Sequence, residues 1–174
     1  ELDHMEACIR VADILFSGEE NIPENKKRAF KLYYKAATQG NNVDAQNSLG
    51  IMYEEGISVK KDVKEAFKWY HRAVKTSQRS HSQALYNLAS MYLTGEGCKE
   101  NRGKALAYFE ESARLGHLKA KDVILNFDSI HHDSNQAGAS SAIQFLRGDA
   151  VQYEPLHAAN EYQDEYHPVN DHYN

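Results

Sequence analysis

Residues 45–74 read AQNSLGIMYEEGISVKKDVKEAFKWYHRAV, and the punctuation of this string decides the fold. Ala45, Leu49 and Tyr53 fall four apart, which puts them on one face of a helix. Gly56 follows, where a left-handed cap would end that helix. Asp62 stands four residues before Ala66, and its short polar side chain suits the first free amides of a second helix. The stretch therefore predicts a helix, a glycine-containing loop and a capped second helix.

The same phrase recurs on both sides. AFKWYHRAVK from Ala66 is echoed by AFKLYYKAAT from Ala29 and ALAYFEESAR from Ala105, at separations of 37 and 39 residues. Asn25 and Asn101 precede those outer anchors as Asp62 precedes the middle one. The first-helix string has counterparts in ALYNLASMYLTG (Ala84–Gly95) and, more faintly, in ACIRVADILFSG (Ala7–Gly18). Repetition at this period predicts an architecture built by stacking. One helix pair cannot bury both of its amphipathic flanks, so neighbouring pairs must cover each other. Each unit brings several large apolar side chains: Leu49, Met52, Tyr53, Phe67, Trp69 and Tyr70 in the middle copy. Burying each contributes roughly 1.5–3 kcal/mol. The small Ala45, Gly50, Ala66 and Ala73 let the helices approach closely.

Tetratricopeptide repeats keep a period of 34 residues, whereas 37–39 with a long loop inside the pair is different. Residues 45–74 resemble a Sel-1-like repeat almost throughout, and the likeness extends more weakly over about Met5–Phe127. Ser58 replaces the family's second loop glycine, Cys98 stands where the middle copy has Val59, the first copy has the extended loop GEENIPENKK, and the third lacks the tryptophan. The resemblance implies an all-α, right-handed α-α superhelix of about three helix-hairpin repeats. HLKAKDVILNF (His117–Phe127) would add a closing helix. It also implies a non-catalytic protein–protein interaction module, an adaptor or scaffold, whose first helices line a concave face that holds other proteins.

That face can be placed by stepping about 100° per residue from Leu49 as the inward direction. Asp44, Asn47, Ile51 and Glu54 are then expected to point away from the paired helix. Their counterparts are Gln83, Tyr86, Ser90 and Leu93 in the third copy, and Ile9, Asp13 and Phe16, with Glu6, in the first. Ile9, Phe16, Ile51, Tyr86 and Leu93 put apolar groups where a solvated helix would carry charge, which predicts a mixed stripe for a partner helix or extended segment. Asp13, Glu19, Glu20, Glu54 and Glu55 tint the neighbouring loops acidic, which reads as solvation.

Composition narrows the field. A net charge of -5 argues against a nucleic-acid-binding surface. No proline interrupts residues 25–127, and no apolar run approaches the ~20 residues of a membrane span. The opening ELDHMEACIR lacks the apolar centre of a signal peptide. Cys8 and Cys98 lack metal-ligand spacing and are too few for a disulfide framework. No phosphate loop, HExxH or GxSxG occurs, so neither enzyme activity, cofactor nor metal is expected.

After Phe127 the repeat disappears. Residues 128–174 read as a linker followed by an acidic tail rich in Tyr and His, able to fold back on a groove or dock on a neighbour. SAIQFLRGDAV could form a short helix with Ile143 and Leu146 on its apolar face. The RGD at Arg147–Asp149, YEPL, YHPV and the scattered histidines carry little weight as motifs. A rival expectation is a regulatory or effector protein whose tail is itself a ligand or an autoinhibitory segment. Self-association through the tail or the stack end is open.

Overall fold

The structure, a computed structural model, describes residues 2–132 apart from residue 20, with side chains from residue 5 to residue 125. Among the described residues there are seven helices: α1 (Leu2–Ser17), α2 (Lys26–Gln39), α3 (Val43–Glu55), α4 (Val63–Thr76), α5 (Ser82–Thr94), α6 (Arg102–Arg114) and α7 (Leu118–His132). Each helix packs chiefly on the ones before and after it. The hairpins α1–α2, α3–α4 and α5–α6 therefore stack in chain order as an all-α repeat solenoid, and α7 lies on the last of them. Helix α7 runs to His132, five residues beyond the expected end of the closing helix at Phe127. The RGD, YEPL and YHPV strings and the Ser141–Val151 helix expectation lie outside the described residues.

The caps explain why the hairpins close as they do. The Asn25, Asp62 and Asn101 side chains accept from the amides of Arg28, of Lys64 and Glu65, and of Lys104. The backbone N–H groups of the same three residues donate back to the first helix, to the carbonyls of Leu15, Tyr53 and Tyr92 at 2.6, 2.8 and 2.8 Å. One residue thus starts the second helix and ties it to the end of the first. Gly56 and Gly95 end α3 and α5 in the left-handed conformation, donating to Met52 and Met91. In the following turn Ser58 takes a φ of +64°, the left-handed region that its counterpart Gly97 adopts at +74°.

Packing assigns the middle hairpin to two neighbours. Ala45, Leu49, Met52 and Trp69 belong to one core with Ala12, Leu15, Ala29, Phe30, Tyr33, Ala36 and Ala37. Ala66, Phe67, Tyr70, Ala73 and Val74 belong to another, with Leu85, Leu88, Met91, Tyr92, Phe109 and Ala120. Aromatic edges cross each seam: Tyr34 meets Trp69 at 6.1 Å, and Phe67 meets Tyr92 at 5.3 Å between centroids. Within the middle hairpin a Cβ at Gly50 would overlap the Tyr70 ring, which is why glycine stands there. Cys8 and Cys98 are not joined in a disulfide. The Cys98 thiol reaches the Met91 carbonyl at 3.5 Å, and burial pushes its pKa up.

Candidate protein-binding face

The face in question belongs to the first helix of each hairpin, and its geometry is set at the helix starts. Asn42 caps α3 through a bond from the Ala45 amide. At the equivalent places in α5 and α7 stand His81 and His117, whose Nδ1 atoms accept from Ala84 and Ala120 at 3.0 and 3.2 Å. A ring that accepts at Nδ1 carries its proton on Nε2 when neutral. That second nitrogen reaches back to the preceding hairpin: His81 to Asp44 Oδ1 at 2.9 Å, and His117 to Gln83 Oε1 at 3.0 Å. Asp44 and Gln83 are themselves equivalent positions, so the clasp repeats from one seam to the next. The hydrogen bond from His81 is the main cause holding the Asp44 carboxyl below its usual range.

From His117 the bonds continue in one direction. Gln83 Nε2 donates to Asn87 Oδ1 at 2.9 Å, and Asn87 Nδ2 donates to Asn47 Oδ1 at 3.0 Å. A line of side-chain amides therefore joins α7, α5 and α3, each group donor to the next. The Tyr86 ring stacks on His117 at 4.5 Å and meets Phe109 edge-on at 5.5 Å. Partial burial, with Lys119 nearby, holds the His117 pKa below its ordinary value.

The expected binding residues fall into three groups. Ile9 and Phe16 on α1, and Ile51 and Leu93 on α3 and α5, are half-buried against the two cores and keep part of their surface in solvent. Asp44, Asn47, Gln83, Tyr86 and Ser90 lie along the clasp and the amide line. Asn47 is only 7% exposed beneath Asn87, while Ser90 Oγ donates to the Tyr86 carbonyl. Asp13 and Glu54 depart from expectation. Instead of pointing away from the paired helix, they accept hydrogen bonds from it, Asp13 from Tyr33 OH at 2.6 Å and Glu54 from Tyr70 OH at 2.5 Å. The reason is at the far end of the tyrosines: a ring buried in the core brings its hydroxyl to the rim, where it requires an acceptor. Burial first, then the neighbouring carboxylate, pushes both phenols well above their ordinary range, so they stay protonated donors.

The histidine caps were the residues that sequence reasoning missed. Their signal was present, since His81 and His117 each stand directly before a first-type helix, as Asn42 does. Among the described residues no group of three His, Cys, Asp or Glu side chains is placed to hold a metal ion. No described helix is long and apolar enough to cross a membrane.

Comparison with known proteins agrees with the hairpin spacing. The Sel1 repeat pattern matches at residues 6–41, 43–75 and 82–117, one match per hairpin and together more than half of the chain. A chitin synthase regulatory factor of Schizosaccharomyces pombe is 33% identical over 110 residues, which are 62% of this chain and 23% of that protein. An exopolysaccharide production negative regulator of Rhizobium meliloti is 30% identical over 124 residues, 64% of this chain and 46% of that one. The crystal structure of a Sel1 repeat protein from Oxalobacter formigenes superposes with a TM-score of 0.62 at 30% identity, covering 71% of this chain and 49% of the other. In each case the chain spans less than half of the relative's length. Proteins with these repeats generally bind other proteins and serve as scaffolds without catalysis. Three matched repeats, each a capped hairpin stacked on the next, make this chain a member of the Sel1 repeat family.

Proposed function

We propose that the chain is a non-catalytic adaptor that holds a segment of another protein along the face made by α1, α3 and α5. The observation carrying this reading is the row of half-buried apolar side chains, Ile9, Phe16, Ile51 and Leu93, on successive first helices. A partner laid across it would complete their burial, and the fixed stack would lower the ordering cost of binding. Asp44, Glu54 and Gln83 would border the bound segment, while Asn47, Tyr86 and Ser90 would hold its floor rigid. Asp13 would border it at the α1 end. Two relatives are named as regulators, of chitin synthase and of exopolysaccharide production, which favours a regulatory adaptor.

The test replaces Ile51 and Leu93 together with lysine and compares affinity capture of partners by the variant and the parent chain. Both positions are partly exposed, so the helical signal and melting temperature serve as the folding control. Loss of captured protein with melting within a few degrees is the expected result. An unchanged set of captured proteins, from a folded variant, would sink the proposal.

A further inference from the structure

Charge is divided unevenly between the two layers of the stack. Helix α2 holds five basic residues and no acidic one, and α4 holds four basic residues beside the single Glu65. Helix α3, which pairs with α4, holds three acidic residues and no basic one. On α2, Lys27, Lys31 and Lys35 fall four apart, and Lys64, Lys68 and Arg72 repeat them 37 residues later on α4. That spacing sets each trio on one side of its helix, opposite the buried Ala29, Tyr33 and Ala36 of α2 and Ala66, Tyr70 and Ala73 of α4. Lys27, Lys31, Lys64 and Lys68 are exposed, and Lys35 and Arg72 are half-buried. The two stripes adjoin where Arg72 lies over the Trp69 ring at 5.5 Å and Trp69 meets Tyr34 of α2.

Neither helix stability nor the repeat calls for these cations. Like charges four apart on a helix repel, and Lys27 and Arg28 stand in the first turn of α2, where the helix dipole disfavours cations. In α6 the places of Lys64, Lys68 and Arg72 are held by Gly103, Ala107 and Glu111. We propose that the outward sides of α2 and α4 form a second interaction surface, which takes an extended acidic segment of a partner protein. Successive cations of a stripe rise about 6 Å along the helix, close to the roughly 6.7 Å between alternate residues of an extended chain. Carboxylates at every second position of such a segment would therefore meet Lys64, Lys68 and Arg72 in turn. Five of the six cations are lysines, whereas phosphate recognition favours the arginine fork. A nucleic-acid duplex or an anionic bilayer is also broader than two helix stripes and would press on Glu24 and Asp62, exposed carboxylates beside them. The surface is separate from the α1–α3–α5 face and does not depend on it.

Fluorescence anisotropy of a labelled peptide alternating glutamate and serine, titrated with the intact 174-residue chain, tests the proposal. The parent chain is expected to bind it, less tightly as salt is raised. Lys31→Glu combined with Lys64→Glu should weaken binding at least about tenfold. Each substitution sets a carboxylate four residues from a retained lysine, so the melting temperature should hold or rise, and unfolding would not account for the loss. Lys119→Glu combined with Lys121→Glu on α7 changes the net charge equally and should leave binding within about twofold. Four results would overturn the assignment: no binding by the parent chain, binding that survives Lys31→Glu with Lys64→Glu, equal loss in the α7 variant, or stripe-dependent binding to phosphatidylserine vesicles or a DNA duplex that is tighter than to the peptide at the same salt. The last would assign the stripes to a different class of partner.

Discussion

The seam between the first and second hairpins and the seam between the second and third are built from the same repeat, yet they are held differently. The first is chiefly an aromatic and alanine seam, with Phe30, Tyr34, Tyr53 and Trp69 in edge and stacked contact and one side-chain amide bond, from Gln46 Nε2 to the Ala37 carbonyl at 3.3 Å. The second adds a polar clasp, in which His81 caps α5 and reaches Asp44 while Asn87 reaches Asn47. Apolar burial supplies the adhesion at both seams and does not specify direction. The clasp uses donors and acceptors that match only when α3 and α5 sit in one relative position, so it fixes register. The difference teaches that a histidine in place of asparagine at the cap, with Asn87 facing Asn47, adds bonds between successive first helices to a junction that is otherwise held mainly by packing.

The largest perturbations should fall on adhesion. Leu49→Ala removes a fully buried side chain from the first core, and Leu88→Ala one from the second. Each is expected to lower stability by about 2–5 kcal/mol in urea titrations. Hydrogen exchange should localise the first loss to α1–α3 and the second to α4–α7. Equal loss across all helices in both variants would contradict the separation of the seams.

Gly50→Val drives a side chain into the Tyr70 ring and is expected to cost about 1–3 kcal/mol. Because Tyr70 lies in the second core while Gly50 sits beside Leu49 of the first, both seams should loosen together. Exchange confined to one side would show that the middle hairpin does not couple them.

Acid should act on the keyed junctions. His117 has a folded-state pKa below its ordinary value near 6.5. The unfolded chain therefore binds the proton first. The stability contributed by neutral His117 is complete above that ordinary value and is lost as pH falls from about 6.5 through the lower folded value. Protonation also takes Nδ1 away from the Ala120 amide. Exchange of α7 amides is expected to quicken across this window while α1–α2 amides hold steady. His117→Asn keeps a capping acceptor without the titration, so it should flatten the α7 response.

The smallest effect belongs to the loop of the middle hairpin. Ser58→Gly relieves a left-handed serine, and the added freedom of the unfolded chain offsets part of the gain. A net stabilisation below about 1 kcal/mol is expected, visible as a slight rise in melting temperature. A decrease would mean that the serine side chain supplies a bond worth more than the strain.

The hairpin fold could be read directly from the chain, because the alanine anchors, the Asn and Asp caps and the loop glycines are local signals that survive without tertiary knowledge. The binding face was only partly readable. Stepping around a helix tracks where Cβ points, and it located Ile51 and Leu93 on partly exposed positions. It could not anticipate that Tyr33 and Tyr70 would carry hydroxyls to the rim and draw Asp13 and Glu54 back. Histidine at a cap was overlooked because His is not among the usual capping residues, although Nδ1 accepts an amide as readily as a carboxamide oxygen does.

One further consequence lies in the division of the middle hairpin. Trp69 serves the earlier neighbour, while Phe67 and Tyr70 on the same helix serve the later one, so, apart from the Gly50–Tyr70 contact inside the hairpin, the large side chains of α3–α4 are divided between its neighbours. The junctions, as much as the repeats, are then expected to set the cooperative units. Excising the central hairpin would not shorten the array by one link but would abolish both junctions at once, and the two outer hairpins would have to find new complementarity to each other.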